Sequence, residues 1–540
     1  MNWTFFVLAL LIFLIPVTVA HAVPTSPSST VTPPGAENEQ RLNMLSVSPK
    51  VMLKQILFSG NTAVSTAELT VTASSYLNRV LVTEELEALR QALIKLYVSK
   101  GYINSGVIIP DQKVENGVIT FTIIEGGLNS VTIDGLKYYR YPFLSSKLNV
   151  AAVQPLNVNR IQEALQLFQQ DPRIKQINAE LVPGAKTGEA ELKVKINEAS
   201  PLKISSRFNN DAAPATGSFR GELVIAHQNV LGFGDTLSAH STVTEGAVDY
   251  GGRYSFPVSL YDTTLDVYYS TSNNMVIEEQ FNGLDVTSEN ETIGLKIRQP
   301  FQRSATGEFA ISLTGEKRSS VSKLLGQRFS FSAWEHDGKS NVSVLRLTQE
   351  WTRRTSSSVA GIYSTFNYGI AVLGATTNSN LPDGRFGSWI GQGMLLSRIG
   401  TSPIQTMLRA NAQISLNQLL PMEKFPMGGL GSVRGYRTNT IVRDNGFNCT
   451  GEVRIPLFSN DTWPGTLQLV PFIDFGWGWN TGGAVSTPET ITGIGGGLRW
   501  QVVNFVTAEA YYGYGIDKVP VGKKDLQDQG LHFQVSIEWL

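Results

Sequence analysis

The distribution of apolar and polar residues changes character at about residue 203. From there to the C-terminus, apolar and polar residues alternate, and short runs rich in Gly, Asn, Asp and Ser separate the alternating segments. The final segment has apolar residues at every second position: Leu531, Phe533, Val535, Ile537 and Trp539. Because the side chains of a β-strand point alternately to its two faces, this pattern predicts a series of strands, each with one apolar and one polar face.

Upstream of this region, short alternating segments are joined by helical segments, and the whole pattern occurs twice. We place the first copy at residues 49–126 and the second at residues 127–200. Glu125 and Glu198 align 73 residues apart in the two copies. The repeat predicts two small α+β domains of the same fold, each a sheet covered by helices.

Each copy contains a helix with one apolar face. In the first copy the helix has Thr83 as its N-cap and ends at Gly101, and in the second copy Pro172 prevents continuation. The apolar faces consist of Leu86, Leu89, Leu93, Leu96 and Tyr97 in the first copy and of Ile161, Leu165 and Phe168 in the second. Gly60 and Gly135 also align, 75 residues apart.

The edges of such small sheets suggest one role for the two domains. An edge strand has unpaired N–H and C=O groups, to which a segment of a partner can add as a further strand. The domains could instead be a plain spacer, and the pattern alone favours neither interpretation.

The first 48 residues are predicted to lie outside these folded regions. Residues 1–22 contain an apolar run, Phe5 to Val19, that is short for a membrane-spanning helix, followed by the cleavage pattern Ala20-His21-Ala22. We interpret them as a signal peptide, with an uncleaved anchor as the less favoured alternative. Residues 23–48 are rich in Pro, Ser and Thr and predict a flexible or extended linker, in which AENEQRLNM could form about two turns of helix.

A strand series of this length after a signal peptide favours a transmembrane β-barrel over a soluble sandwich, which would also alternate. At roughly 20 residues per strand and connection, residues 201–540 provide about 16 strands, an even number as such barrels require. Closure removes the sheet edges that lipid does not tolerate, and the polar faces then line a lumen. We therefore predict a transmembrane antiparallel β-barrel preceded by two small α+β domains.

The composition excludes functions rather than indicating one. A formal net charge of −1 over 540 residues gives no basic face for nucleic acid. The single cysteine, Cys449, excludes an intramolecular disulfide and a cysteine-cluster metal site. The five histidines have no metal-ligand spacing, and none lies near a nucleophile motif, so we predict no metal, no cofactor and no catalytic residues. An enzymatic barrel, such as a surface protease or lipase, has little support.

Two segments of the predicted barrel carry unusual charged residues. In GLGSVRGYRTN, residues 429–439, Arg434 lies among small residues, and we reject a phosphate-binding loop because a strand rather than a helix follows. In LVPFIDFGWGW, residues 469–479, alternation directs Asp474 into the lumen. Asp474 could be one of many lumen charges and Arg434 a solvated loop residue; alternatively, Arg434 belongs to a charged plug inside the barrel.

These segments resemble motifs of the hemolysin secretion/activation proteins, the transporters of two-partner secretion. Val433 to Tyr436 matches the VRGY motif of their sixth extracellular loop, and Phe472 to Gly476 matches their F-x-D-x-G strand motif. The two repeats resemble the family's two POTRA domains, and the barrel length fits its 16 strands. The resemblance implies that a loop at 419–448 folds into the lumen, where Arg434 meets Asp474. The implied loop–barrel lock comprises Val433, Arg434, Gly435, Tyr436, Phe472, Asp474 and Gly476.

The resemblance also implies a function and partners. Such a protein resides in the bacterial outer membrane with its POTRA domains in the periplasm, captures an unfolded hemolysin- or adhesin-like exoprotein there, and passes it through the barrel to the cell surface. Outer-membrane lipids and the barrel assembly machinery are its further partners. Two alternatives are an assembly factor for outer-membrane proteins, which usually carries more POTRA repeats, and a diffusion porin, which needs none.

Two features depart from the family pattern. Relatives carry an N-terminal plug helix, whereas AENEQRLNM is short and follows a proline-rich stretch. The chain also ends in Trp539-Leu540 rather than in a terminal aromatic residue, which is the feature that the barrel assembly machinery reads in relatives. We expect Trp539 and its alternating strand to serve that purpose.

Overall fold

A computed structural model of the protein describes residues 50–539, apart from residues 111, 113, 115, 282, 333, 380–381, 459–464, 483–485 and 520–524. The signal peptide predicted at 1–22 and the Pro/Ser-rich segment at 23–48 lie outside the described residues. The chain divides into two compact units, which meet in the sequence at Ala199 and Ser200.

The N-terminal unit contains two copies of one arrangement of strands and helices. Its strands are β1 (Lys50–Leu53), β2 (Gln55–Ser59), β3 (Arg79–Val82), β4 (Gly106–Ile108), β5 (Val118–Ile124), β6 (Gly127–Asp134), β7 (Ile174–Pro183) and β8 (Glu189–Glu198). Its helices are α1 (Thr66–Ala73), α2 (Thr83–Ser99), α3 (Tyr141–Ala151) and α4 (Val158–Gln169). The predicted repeat therefore corresponds to a repeat of structure.

Each copy folds around its own three-stranded sheet. The strand orders are β2-β5-β4 and β6-β8-β7, and in both sheets the first pair is parallel and the second antiparallel. β1 and β3 form an additional two-stranded sheet in the first copy. Each copy has its own buried apolar core, because the apolar faces of two helices pack on one face of each sheet.

The long helix of the first copy matches its predicted apolar face but begins differently. Leu86, Leu89, Leu93 and Tyr97 are buried, as the spacing predicts. The predicted N-cap, Thr83, is wrong by one residue: α2 begins at Thr83 and its N-cap is Val82. The reason is that the Glu85 side chain reaches back to accept the Val82 N–H at 3.1 Å, so that a cap hydroxyl is not required.

The aligned glutamates of the two copies perform the same structural task. The Glu125 carboxylate accepts the backbone N–H groups of Thr62 and Ala63, each at 2.7 Å. The Glu198 carboxylate accepts the N–H groups of Lys137, Tyr138 and Tyr139 at 2.5–3.0 Å. Glu125 follows β5 and fixes the turn after β2. Glu198 ends β8 and fixes the turn after β6 in the same way.

Burial would raise the pKa of Glu125, but hydrogen bonds outweigh it and hold the pKa below its usual value. The donors are the Thr62 hydroxyl, the two backbone N–H groups and the Tyr97 hydroxyl, which lies 2.9 Å from the carboxylate. Burial and the neighbouring carboxylate raise the pKa of Tyr97. Glu125 therefore stabilises its domain as the anion.

The C-terminal unit is a closed antiparallel barrel. Sixteen of the described strands form its wall: β9 (Leu202–Asn209), β10 (Arg220–Gln228), β11 (Thr236–Val243), β12 (Ala247–Pro257), β13 (Thr264–Met275), β14 (Thr287–Ser304), β15 (Gly307–Leu324), β17 (Lys339–Arg354), β18 (Ser358–Ile370), β19 (Gly387–Arg398), β20 (Gln405–Ser415), β23 (Asn445–Phe458), β24 (Thr466–Trp479), β25 (Thr490–Val503), β26 (Val506–Gly515) and β27 (Leu531–Trp539). The short strands β16 (Gln327–Arg328), β21 (Phe425–Met427) and β22 (Ile441–Arg443) lie in connections.

Pairing of β27 with β9 closes the wall, so the predicted strand number and closure are confirmed. At this seam, Asn210 extends the ladder beyond β9 with its side chain. Its Nδ2 donates to the Leu531 carbonyl and its Oδ1 accepts the Phe533 N–H, both at 2.8 Å. The side-chain amide thus takes the place of a peptide group.

The predicted alternation is visible in the exposure of the wall residues. On β27, Leu531 and Trp539 are exposed on the outer face, whereas His532, Gln534 and Ser536 are buried towards the lumen. Among the described residues, no helix is both long and apolar enough to cross a membrane.

The longest connection in the described wall, residues 416–444, joins β20 to β23 and is called the inner loop below. β21 and β22 pair within it as a short hairpin. The sequence placed the end of this loop at residue 448, but β23 begins at Asn445, where pairing with Trp479 of β24 starts. Residues 445–448 thus belong to the wall.

Candidate functional site

The inner loop brings Arg434 against Asp474, which points into the lumen from β24. The guanidinium donates from Nε to Oδ2 at 2.8 Å and from Nη2 to Oδ1 at 2.9 Å. The backbone N–H of Arg434 donates to the same Oδ2 at 3.0 Å. Only 3% of Arg434 and 0% of Asp474 are exposed. The pair is therefore a desolvated, bidentate ion pair, which the single ammonium group of a lysine does not reproduce.

A second carboxylate completes the charge balance around Arg434. Register pairing of β23 with β24 sets Glu452 opposite Phe472, next to the pair containing Asp474. Glu452 accepts Nη1 of Arg434 at 3.2 Å and both Nε and Nη2 of Arg454, at 2.9 and 2.7 Å. Two arginines and two carboxylates therefore alternate, which offsets the cost of removing four charges from water.

The lumen-facing aromatic rings cover the guanidinium. Its central carbon lies 3.5 Å from the centre of the Phe472 ring and 5.0 Å from that of Tyr511 on β26. The two rings meet edge to face at 76°. A guanidinium over an aromatic face gains cation–π attraction, which is stronger where water is excluded. Phe472 thus has a direct contact with Arg434 as well as its position in the strand motif.

Gly435 passes close to the barrel wall. Its φ is +91°, and a Cβ at this position would lie 2.9 Å from the Gly515 nitrogen and 3.0 Å from the Gly513 carbonyl. Both the backbone conformation and the available space therefore require glycine. The Gly435 N–H donates to Nε2 of His532 on β27 at 3.1 Å, which ties the loop to the last strand of the wall.

The other predicted lock residues surround this contact. Val433 is fully buried, and a Cβ on Gly476 would lie 3.1 Å from its Cγ2. The Tyr436 hydroxyl donates to the Thr492 carbonyl at 3.0 Å and accepts the Asp517 N–H at 2.8 Å. All seven residues of the predicted set therefore lie in one cluster between the inner loop and strands β24 to β26.

The predicted set lacked several contributors to this cluster, among them Glu452, Arg454, Tyr511, Gly513 and His532. Strand alternation alone would have directed His532 and Glu452 into the lumen. Their proximity to Arg434 depends on which strands are neighbours and in what register, and alternation carries no information on register.

Beyond Tyr436, the loop is tied to the connections at the same end of the barrel. Arg437 binds Asp528 through Nε and, at 2.7 Å, through Nη2. The Thr438 N–H donates to the Gln527 side chain at 2.7 Å. Asp211 accepts the Leu430 N–H at 3.0 Å and the Thr438 hydroxyl at 3.1 Å. These contacts hold both flanks of Arg434.

The chemistry of the cluster is that of an ion-paired anchor. Within the parts of the chain that the structure describes, no group of three or more His, Cys, Asp or Glu residues could hold a metal ion. Cys449 is half-buried and lies on β23 at a position whose side chain faces away from the lumen. Arg434, Arg454, Asp474 and Glu452 are paired with one another, and this arrangement can hold or release a loop.

Comparison with known proteins identifies relatives along most of the chain. The sequence profile of the haemolysin secretion/activation protein family ShlB/FhaC/HecB matches residues 188–500, and that of the ShlB-type POTRA domain matches residues 51–126. The outer membrane transporter CdiB of Escherichia coli is 23% identical over 463 residues, covering 83% of this chain and 76% of CdiB. The heme/hemopexin transporter protein HuxB of Haemophilus influenzae is 22% identical over 454 residues, covering 78% of this chain and 75% of HuxB.

A solved structure shares the fold. The structure of CdiB from Escherichia coli superposes with a TM-score of 0.71 at 20% sequence identity, covering 94% of this chain and 93% of that one. The match includes the barrel and extends into the N-terminal unit, since the barrel alone would not reach that coverage.

Proposed function

Because the chain belongs to the haemolysin secretion/activation protein family ShlB/FhaC/HecB, we propose that it passes an unfolded exoprotein through its barrel to the cell surface. It is a transporter of two-partner secretion, located in the bacterial outer membrane, with the POTRA portion in the periplasm. The name of HuxB states a cargo and that of CdiB does not. The exoprotein of this chain is therefore proposed by class alone, as a secreted, hemolysin- or adhesin-like partner.

The observation that carries the proposal is the buried Arg434–Asp474 contact inside the barrel. A loop that enters the lumen and is held there by an ion pair restricts passage until the pair opens. Removal of either partner leaves a buried charge without compensation, at a cost of about 3–5 kcal/mol. We assign the lock to Val433, Arg434, Gly435, Tyr436, Phe472, Asp474 and Gly476.

The N-terminal unit is assigned the capture of the exoprotein. We divide it into POTRA domains at residues 49–126 and 127–200, with the barrel at 201–540 and a signal peptide at 1–22. In both domains one face of the sheet is covered by helices. Among the strands that the structure describes, none pairs with the outer edges of β2 and β4 or of β6 and β7. An extended segment of the exoprotein can pair with such an edge.

The two alternative functions differ from the proposed one in the domains that they require and in the proteins on which they act. A diffusion porin requires neither the N-terminal domains nor a loop held by a buried ion pair. An assembly factor would act on other barrel proteins rather than on one exoprotein. The proposed function includes no catalysis, and the barrel assembly machinery and outer-membrane lipids are partners in insertion rather than in transport.

The experiment is a secretion assay with a hemolysin- or adhesin-like exoprotein of the same organism, for which a neighbouring gene is the first candidate to examine. We expect the exoprotein in the medium when the full chain is present, and in the periplasm when residues 49–200 are deleted, although the truncated barrel still inserts and remains heat-modifiable. Normal secretion by the truncated chain would contradict the capture role. A general loss of other outer-membrane barrels on removal of the full chain would favour the assembly factor instead.

A further inference from the structure

We propose that Glu423 is a second anchor of the inner loop, which ties the beginning of the loop to a different part of the wall from the one that holds Arg434. The inference rests on the proposed function, because it concerns how the loop that restricts the barrel is retained and released. It adds a second positioning site, formed by Glu423 with Arg318 and Arg346.

Two arginines of the wall converge on Glu423. Nη1 of Arg318 lies 2.9 Å from Oε1, and the same group donates to the Met422 carbonyl at 2.6 Å. Arg346 donates from Nη2 to Oε1 at 2.9 Å and from Nη1 to Oε2 at 3.1 Å. The Glu423 carbonyl also accepts the Gln413 side chain at 2.9 Å. The Glu423 carboxylate therefore accepts three hydrogen bonds, as many as the Asp474 carboxylate accepts from Arg434.

Wall residues hold Arg346 in place independently of the loop. Nε of Arg346 donates to Glu316 on the neighbouring strand at 2.8 Å, and Nη1 also donates to Asn367 at 3.0 Å. The side chains of Glu316 and Glu423 are 4% and 5% exposed. Two arginines thus face two glutamates, and without Glu423 the two positive charges would face one buried carboxylate.

The two anchors lie on separate arcs of the wall. Arg318 and Arg346 belong to β15 and β17, whereas Asp474 belongs to β24, which follows β17 by five positions in the wall order β17-β18-β19-β20-β23-β24. The separation is five or six strands of the sixteen, about a third of the circumference of the wall. The inner loop therefore binds two different parts of the wall, through Glu423 at its beginning and Arg434 at its tip. The strand β21, which pairs with β22, lies between these two residues in the sequence.

This geometry makes the two anchors separable. They have no charged residue in common: Asp474 and Glu452 bind Arg434, whereas Arg318 and Arg346 bind Glu423. Release of Arg434 together with the contacts that hold its flanks frees the tip of the loop, while Glu423 still tethers its beginning to β15 and β17. The second anchor thereby keeps a released tip within reach of Asp474, so that opening of the lock can be reversed.

The test uses single-channel currents of the purified full-length protein in planar bilayers, without exoprotein. We expect Glu423→Gln to increase the frequency of loop-dependent current fluctuations about tenfold, the effect of losing one charge-assisted hydrogen bond. Arg318→Gln removes one of the two arginines that bind Glu423 and should increase the frequency of these fluctuations by a smaller factor. It replaces Glu423→Gln as the test if that variant does not insert. The matched control is Glu350→Gln, because Glu350 is a buried lumen carboxylate of β17 that binds Lys296 and Arg298 rather than the loop.

The double variant Glu423→Gln/Arg434→Ala should show the product of the two single effects, as expected for separate anchors. The proposal is overturned if Glu423→Gln and Arg318→Gln behave like Glu350→Gln, or if the double variant is no different from Arg434→Ala. If Arg434→Ala also leaves the currents unchanged, the lock of the proposed function fails. Altered currents in Arg434→Ala together with unchanged currents in Glu423→Gln overturn the second anchor alone.

Discussion

Asp474 binds Arg434 through the backbone as well as the side chain: one carboxylate accepts Nε, Nη2 and the main-chain N–H of the same residue. The two partners are therefore not equivalent. Replacement of Arg434 removes its two side-chain hydrogen bonds to Asp474 and the one to Glu452 but leaves the backbone contact, whereas replacement of Asp474 removes all three of its hydrogen bonds to Arg434. The carboxylate positions the loop backbone, and the guanidinium adds charge pairing with Asp474 and Glu452.

The first prediction concerns the glycine beside this contact. Gly435→Ala should reduce exoprotein secretion as strongly as Arg434→Ala, because a methyl group would meet the backbone of Gly513 and Gly515 and because φ is +91°. Gly431→Ala in the same loop is the matched control, since its Cβ would find its nearest atom at 3.8 Å, in Asp211. Equal secretion by the two variants would show that the close approach of Gly435 to the wall is unimportant.

The second prediction concerns the pH dependence of the N-terminal unit. The folded pKa of Glu125 lies below its unfolded value, so its contribution to the free energy of unfolding is present above the unfolded pKa and is lost as the pH falls through the folded pKa. Glu125→Gln should therefore destabilise the first domain at neutral pH, and the difference from the parent should shrink below about pH 4.5.

The measurement is thermal unfolding of residues 50–199, which contain both apolar cores, between neutral pH and the acid limit of the fold. Glu163→Gln is the control, because Glu163 is an exposed carboxylate on α4. A difference between Glu125→Gln and the parent that grows on acidification would have the wrong sign and would contradict the assigned role of the anion.

The third prediction concerns the orientation of the barrel. The inner loop and the other long connections lie at one end of the wall, so this end should face the cell exterior. In a Cys449→Ser background, a cysteine at Gln327 in the connection after β15 should react with an impermeant thiol reagent on intact cells. A cysteine at Ser356, in the turn at the other end of β17, should react only after permeabilisation. The reverse labelling would place the loop on the periplasmic side.

Lys424 is a poor position for such a probe, although it lies in the loop. A loop that enters the barrel from outside would be expected to have accessible flanks at residues 418–426, but the Lys424 side chain is 19% exposed and lies 3.2 Å from Asp444. Leu419, Leu420 and Phe425 are buried. Entry of the loop into the lumen hides its flanks as well as its tip, and a linear sequence does not reveal that burial.

Local patterns predicted the parts of the molecule whose structure depends on neighbouring residues in the sequence. The period of two directed Asp474 and Phe472 inwards, and the spacing of Leu86, Leu89 and Leu93 defined the buried face of α2. The alignment of Glu125 with Glu198 predicted an internal repeat, and both residues bind the same turn in their domains.

Long-range contacts were less accessible to the sequence. Gly435 and His532 come together because β27 closes the wall on β9 and lies near the loop tip, and this depends on strand order and register. Glu423 was missed for the same reason, because its partners Arg318 and Arg346 precede it by 105 and 77 residues on two other strands. The contact between Arg434 and Asp474 was expected from a motif resemblance rather than from the pattern of residues.

The most direct test of the account is a double-mutant cycle on Arg434 and Asp474, read out as exoprotein secreted per inserted barrel. Arg434→Ala and Asp474→Ala should each reduce secretion severely, with Asp474→Ala at least as damaging, and Arg434→Lys should restore only part of it because lysine cannot form both parallel hydrogen bonds. Heat-modifiability establishes that each variant inserts as a folded barrel. The double variant should secrete little less than Asp474→Ala alone, because both changes break the same contact. Fully additive losses in the double variant would contradict the account, since the two residues would then act independently of each other.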